Sequence, residues 1–393
     1  MDHPAGTLHH VADQVLVILD RLASRLGKLW PIFVLLLAIG ISFFFSPPYY
    51  PLVSEFLQQP FGQAKTWWLQ HPFQSVPVES FFPSADLHIG FNAGMASHLD
   101  KLTFRAFLPL VHQLFPFGLW TLVAASHLAG IAIFFLSFLV VARHTQDRVV
   151  AALTTWSVAA CFAGQYGFLD YRFGDVVAVS LLLGALCSRH KPLVSLLVFF
   201  SCLTDERILF LIPLSLIFHW TSVQTLFPSG QNLPRSLVAA MTAVVREGWP
   251  ILSGLILYLL LRITLAFTAN IHTGTSGLFD SALFYQRVFS DYPLRFFTVF
   301  EFLWLPLLIF SVNFCFVGRP LFRLFVCTLI LAVFPALVVW DLDRSLFYLL
   351  PAIIYSVALL PVSLQARRLL MLAIVSANLA WFSAAHSVLE ILR

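Results

Sequence analysis

Apolar runs recur from about residue 29 to the end of the chain, and no polar stretch between them is long enough to form a separate domain. A hydrocarbon core of about 30 Å is crossed by roughly 20 apolar residues in a straight helix, and by fewer where polar flanks thin it or a helix only dips in. The runs fall near 29–46, 119–142, 149–165, 175–188, 193–203, 208–222, 248–267, 297–317, 324–340, 345–363 and 369–389. They predict an all-α, polytopic transmembrane helix bundle of about eleven membrane-crossing or membrane-embedded helices, with a long extracytoplasmic loop after the first. Residues 1–28 are expected to form a cytoplasmic amphipathic helix, and 29–393 a single transmembrane domain whose loop, 47–118, carries interfacial helices.

Composition excludes a soluble enzyme: 59% of residues are hydrophobic and 11% charged, and the mean hydropathy is +0.87. Water does not solvate such a surface. The five cysteines (Cys161, Cys187, Cys202, Cys315, Cys327) all lie in apolar runs without CxxC spacing, so they read as small core residues. The net charge of +4 is not clustered in a way that suits nucleic acid. Arg21, Arg25 and Lys28 precede the first run as in a signal peptide, but an aromatic loop follows in place of a small-residue cleavage site. The run therefore reads as a retained first helix.

Lys and Arg resist translocation and mark the cytoplasmic side of short loops. With a cytoplasmic N-terminus, the inner connections hold Arg21, Arg25, Lys28, Arg143, Arg148, Arg189, Lys191, Arg235, Arg246, Arg319, Arg323, Arg367 and Arg368, a majority of the 23 basic residues. The expected location is a bacterial inner membrane. Most acidic residues fall on the other side, and that asymmetry asks for a second explanation. Within 8–28, Val11, Val15, Ile18, Leu19, Leu22 and Leu26 recur at helical spacing, which fits either a helix lying on the cytoplasmic surface or a simple extension of the first span. In 47–118, Pro47, Pro48, Pro51, Pro60, Pro72, Pro77 and Pro83 and the pair Trp67-Trp68 suit a chain along the outer headgroup zone, and 102–115 reads as a short interfacial helix.

Three short outer connections repeat one theme: Asp170-Tyr171-Arg172 with Asp175, Asp205-Glu206-Arg207, and Asp341-Leu342-Asp343-Arg344. Ionised groups at membrane depth cost several kcal/mol unless paired or hydrated, so they gather in functional clefts. The competing reading is local: each Asp/Arg pair caps its own helices. The runs flanking the second tip are too short to cross comfortably and read as two half-helices with the charged tip at the floor of an outward cavity. The long loop adds Asp86, His88, His98, Asp100, Lys101 and Arg105 on the same side. An Asp facing a basic cluster supplies a general base beside a phosphate-bearing substrate, with Arg for bidentate phosphate contact and Lys as a point charge. His88, His98 and Asp86 form no compact ligand motif, so no metal or other cofactor is expected, a divalent ion being conceivable but unsupported. No Walker loop, GxGxxG, HExxH or GxSxG is present. Arg262 and Glu301, beside apolar runs, are expected to snorkel to the interface.

Asp86 precedes Phe104-Arg105-Ala106-Phe107-Leu108-Pro109-Leu110; Leu203-Thr204-Asp205-Glu206-Arg207 precedes a Pro213-containing helix; and Trp340-Asp341-Leu342-Asp343-Arg344 forms a late tip. In this order the chain resembles the polytopic glycosyltransferases of the GT-C type, which use polyprenyl-phosphate-linked sugars on the non-cytoplasmic face. The resemblance covers the layout of residues 29–345. It departs from the family in lacking an Asp-Asp or Asp-Glu pair after the first span, where Ser46-Pro47-Pro48-Tyr49-Tyr50 stands, and in lacking a large C-terminal soluble domain. It implies sugar transfer from a lipid-linked sugar phosphate, with Asp86 or, secondarily, Asp100 as base. The phosphate would be held by Arg105, Arg207 and Arg344. His88, His98, Lys101, Asp170, Arg172, Asp175, Asp205, Glu206, Asp341 and Asp343 complete the expected substrate site. Two alternatives remain open at this point: a transporter or flippase of a lipid-linked or anionic substrate, and a non-catalytic membrane subunit of an envelope polysaccharide assembly. The expected partners are membrane lipids and the lipid-linked donor.

Overall fold

The computed structural model describes residues 4–46, 50, 55–56, 58–82, 99, 102–169, 174–223, 236–268, 292–317, 319–338 and 342–391. Among the described residues there is no strand. Helix α1 (Pro4–Leu26) leads through a 3-10 turn (Gly27–Leu29) into α2 (Trp30–Phe45). The long loop contains α3 (Pro60–Gln70), α4 (Val78–Phe81), a 3-10 turn (Leu102–Phe104) and α5 (Phe107–Leu114), the last lying inside the expected interfacial helix. Then come α6 (Trp120–Thr145), α7 (Arg148–Ala160), α8 (Phe162–Leu169), α9 (Asp175–Cys187), α10 (Lys191–Thr204) and α11 (Ile208–Val223). The last part comprises α12 (Leu237–Glu247), α13 (Trp249–Thr268), α14 (Tyr292–Thr298), a 3-10 turn (Glu301–Leu303), α15 (Trp304–Val317), α16 (Arg319–Val338), α17 (Leu342–Phe347), α18 (Leu350–Ala358) and α19 (Leu364–Ile391).

Among the described residues, three helical stretches are long and apolar enough to cross a membrane: His10–Phe45, Trp120–Thr145 and Trp249–Thr268. A fourth is added if α7 and α8, bent by 67° at Cys161, count as one broken span. The other apolar helices, including Asp175–Cys187, Lys191–Thr204 and Ile208–Thr221, are shorter. Helix thus occupies most of the described residues in the expected runs, but only three stretches, or four with the broken pair, reach the length of a full crossing at 1.5 Å per residue.

Burial sorts these helices into inner and outer sets. Every residue from Val149 to Ala160 in α7 is buried, as is all of α18, so protein surrounds these helices, and the Thr154, Thr155 and Ser157 hydroxyls of α7 donate back to carbonyls one turn earlier. Around α7 pack α2, α6 and α19, while α9 packs between α6 and α10. The outer helices turn large apolar side chains outward; Phe267 and Phe316 are each 85% exposed. Such a rim is what hydrocarbon, not water, would cover. In α1 the face holding Leu16 and Ala23 is buried, and Val11, Ile18 and Leu22 of the expected apolar stripe are exposed.

Close approach of α10 and α13 depends on Gly254: a Cβ there would lie 2.3 Å from the Ser195 carbonyl oxygen. Ser195 Oγ meets Ser253 Oγ at 2.6 Å and donates to the Pro250 carbonyl at 2.8 Å, giving the small-residue, hydrogen-bonded contact typical of apolar helix pairs. Gly254→Val is expected to lower stability by about 1–3 kcal/mol by forcing the two backbones apart. Thermal unfolding in detergent measures it, and an unchanged midpoint would show the contact to be loose.

One end of the bundle is tied by Arg368, which donates to Asp20 at 2.7 Å and to Asp147 at 2.6 Å. Burial works against the Arg368 charge, yet its bonds to those two carboxylates leave its pKa raised above the ordinary value. Asp147 also caps α7 by accepting from the Val149 and Val150 amides. Arg143 donates to the Cys187 carbonyl at the last turn of α9. Asp175, on the first turn of α9, therefore lies at the opposite end, about 18 Å away along the helix.

Candidate functional site

Gly174 prepares this far end. Its φ is +74° and a Cβ would meet Leu108 Cδ1 at 2.5 Å, so the position admits glycine and little else. The turn delivers Asp175 as the first residue of α9, where the exposed amides favour an anion. Asp205 follows the last residue of α10 in extended conformation and accepts the Arg207 amide at 2.9 Å, turning the chain into α11. Arg344 and Tyr348 are four residues apart, and α17 with the turn after it brings both to Asp175.

The six charged side chains form one continuous chain of alternating sign. Glu206 receives a two-pronged contact from Arg105, Nε at 2.8 Å and Nη2 at 2.7 Å. Arg105 Nη1 lies 2.9 Å from Asp205 Oδ2. Asp205 in turn holds Arg207 through Nε at 3.0 Å and Nη2 at 2.9 Å. Arg207 Nη2 reaches Asp175 Oδ1 at 2.7 Å, and Arg344 closes the chain on Asp175 at 2.6 and 3.2 Å. The Tyr348 and Tyr166 hydroxyls donate to the same carboxylate at 3.0 and 3.1 Å, and the Arg207 guanidinium lies over the Tyr348 ring, 4.8 Å from its centre. Asp175 and Asp205 have no exposed side-chain surface, whereas Glu206 keeps 23%. Among the described residues, three guanidinium groups thus meet three carboxylates in an apolar interior, and Glu206, the most exposed of the three acids, is the carboxylate a solute meets first.

Comparison with protein-family models, with curated proteins and with solved structures returns no match to this chain.

Of the expected site residues, the structure brings together Arg105, Asp175, Asp205, Glu206, Arg207 and Arg344. Asp86, His88, His98, Asp100, Lys101, Asp170, Arg172 and Asp341 lie outside the described residues, as does the side chain of Asp343. Leu102, three residues before Arg105, is buried, and its carbonyl accepts from Trp68 Nε1 at 3.0 Å, so the segment that ends the long loop is anchored beside the network. Among the described residues no group of three His, Cys, Asp or Glu side chains could hold a metal ion.

Sequence reasoning missed Tyr166 and Tyr348, which sit in apolar runs. The i, i+4 spacing of Arg344 and Tyr348 was the available signal for the second. It also misjudged Glu301, which does not snorkel: its residue is 3% exposed and sits at a positive φ of +50°. Arg262 is half-buried, stacked 4.4 Å from the Phe104 ring centre and donating to the Tyr258 hydroxyl at 3.0 Å.

Proposed function

We propose that the chain is a multi-pass membrane protein of a bacterial inner membrane, with a cytoplasmic N-terminus, that transfers a sugar from a polyprenyl-phosphate-linked donor at its extracytoplasmic face. The observation that carries this reading is the convergence of Arg105, Asp205–Arg207, Asp175 and Arg344, from four separate parts of the chain, in one buried network next to the end of the long loop. Desolvating six charges costs several kcal/mol per ion, which mutual pairing only about repays, so such a network is a poor way to gain stability and a good way to hold guanidinium groups rigid. Arg105, shared between Asp205 and the partly exposed Glu206, is the cation a phosphate would take over by displacing Glu206. In the reaction, the acceptor hydroxyl oxygen attacks the anomeric carbon as Asp86, or Asp100, takes the hydroxyl proton. The bond to the phosphate oxygen breaks, and the phosphate leaves with the electron pair. Arg105, Arg207 and Arg344 stabilise the charge that accumulates on it.

The 67° break between α7 and α8 is the observation that favours a second reading, movement of a lipid-linked or anionic substrate across the membrane, since broken helices mark many transport sites. Proteoliposomes loaded with radiolabelled polyprenyl-phosphate sugars separate the two. Transfer predicts a new covalent glycoside from the wild-type protein, lost in Asp86→Asn while the variant still elutes as a folded species. Translocation with no product would replace the transferase reading, and full transfer by Asp86→Asn would remove Asp86 as the base.

A further inference from the structure

A second buried acid stands apart from the network, at the break between α7 and α8. The break is held by a bond from the Ala163 amide to the Val299 carbonyl at 3.0 Å, which brings the chain just before Glu301 against it. Gln165 bridges the same break, donating to the Ala160 carbonyl at 3.2 Å and accepting from Ser46 Oγ at 2.6 Å. Across from it, Asn378 of α19 accepts the Phe302 amide at 3.2 Å and donates to the Ser157 carbonyl at 3.3 Å. These groups satisfy the surrounding backbone, and Glu301 Oε2 is left buried with no hydrogen-bond partner. The residue also sits at φ +50°, which side chains rarely adopt.

Strain and an unpartnered buried acid coincide in one residue at a helix break, a combination that packing alone does not require. No described charged side chain acts on the carboxyl, and Cys161 at the break is the titratable neighbour its charge reaches. The packed elements α15 and α19 bring no other charged described side chain close: Asn378 is neutral, and Arg368 is about 15 Å further along α19. On α14 the nearest charged residue is Arg295, six positions before Glu301. Without a cation beside it, the group can reside there only with a proton on it.

We propose that Glu301 is a proton-binding site built into the broken α7–α8 helix, holding a proton in the apolar interior and releasing it when the break is wetted. The proposal stands independently of the sugar-transfer reading. Dicyclohexylcarbodiimide, which modifies protonated carboxyls in apolar surroundings, tests it on the full-length protein in detergent and in liposomes, with adducts mapped by peptide mass spectrometry. The expected result is an adduct at Glu301 whose yield falls about tenfold per pH unit above its titration point. Glu206, ion-paired to Arg105, is expected to stay unmodified under the same conditions. Because the site is mapped in the wild-type protein, the result does not depend on Glu301→Gln folding; where that variant is recovered, its adduct is absent. No adduct at Glu301 at any pH, or a yield indifferent to pH, overturns the proposal.

Discussion

Asp175→Asn is expected to lower the stability of the detergent-solubilised protein by about 3–5 kcal/mol, the largest effect of any single conservative change in the chain. The carboxylate accepts from two guanidinium groups and two phenols and has no exposed surface. Asparagine keeps the shape but removes the counter-charge of Arg207 and Arg344. Half of its head also becomes a donor among donors, so at least one of the five bonds is lost. Arg207 then keeps Asp205, while Arg344 loses both of its bonds to residue 175. Chemical denaturation would measure the loss. The double variant Asp175→Asn with Arg344→Gln should be less destabilised than the two single changes together, because it removes a cation along with the anion. Unfolding of Asp175→Asn at the wild-type midpoint would mean that the network is not ionised as drawn.

The pieces of this network were legible because each carries acid beside base at the end of an apolar run, a pattern that hydrocarbon penalises unless something repays it. Who pairs with whom was not. Arg207 bonds its near neighbour Asp205 as a local cap would, but it also bonds Asp175, and Arg344 bonds Asp175 from 169 residues away. Only the packing of α9 against its neighbours, set by shape, decides those partners. The bend at Cys161 was likewise invisible: residues 149–165 read as one apolar run, with no proline to announce a break. The segment between the expected spans 208–222 and 248–267 reads as a connection, yet it carries α12, whose buried stripe is Ala240 and Val244, four residues apart. Neither the burial of Glu301 nor its left-handed backbone is marked in the sequence, where it stands beside an apolar run like a residue able to snorkel.

Arg105 is where stability and activity are expected to separate. Arg105→Ala leaves Asp205 with one cation in place of two and Glu206 with none, for a loss of about 3 kcal/mol. Arg105→Lys restores the charge but not the planar fork that meets Glu206 through Nε and Nη2 while Nη1 meets Asp205, so its stability should fall between wild type and Ala. If Arg105 only braces the end of the loop, transfer by the Lys variant should track its stability and remain close to wild type once the protein is folded. If it takes a phosphate from Glu206, a single point charge cannot hold both phosphate and Asp205 in the same geometry. Transfer should then fall about 10- to 100-fold in a protein that is still mostly stable. Measuring the unfolding midpoint and the transfer rate on the same two preparations distinguishes the cases, and equal proportional losses in both would assign Arg105 to the scaffold.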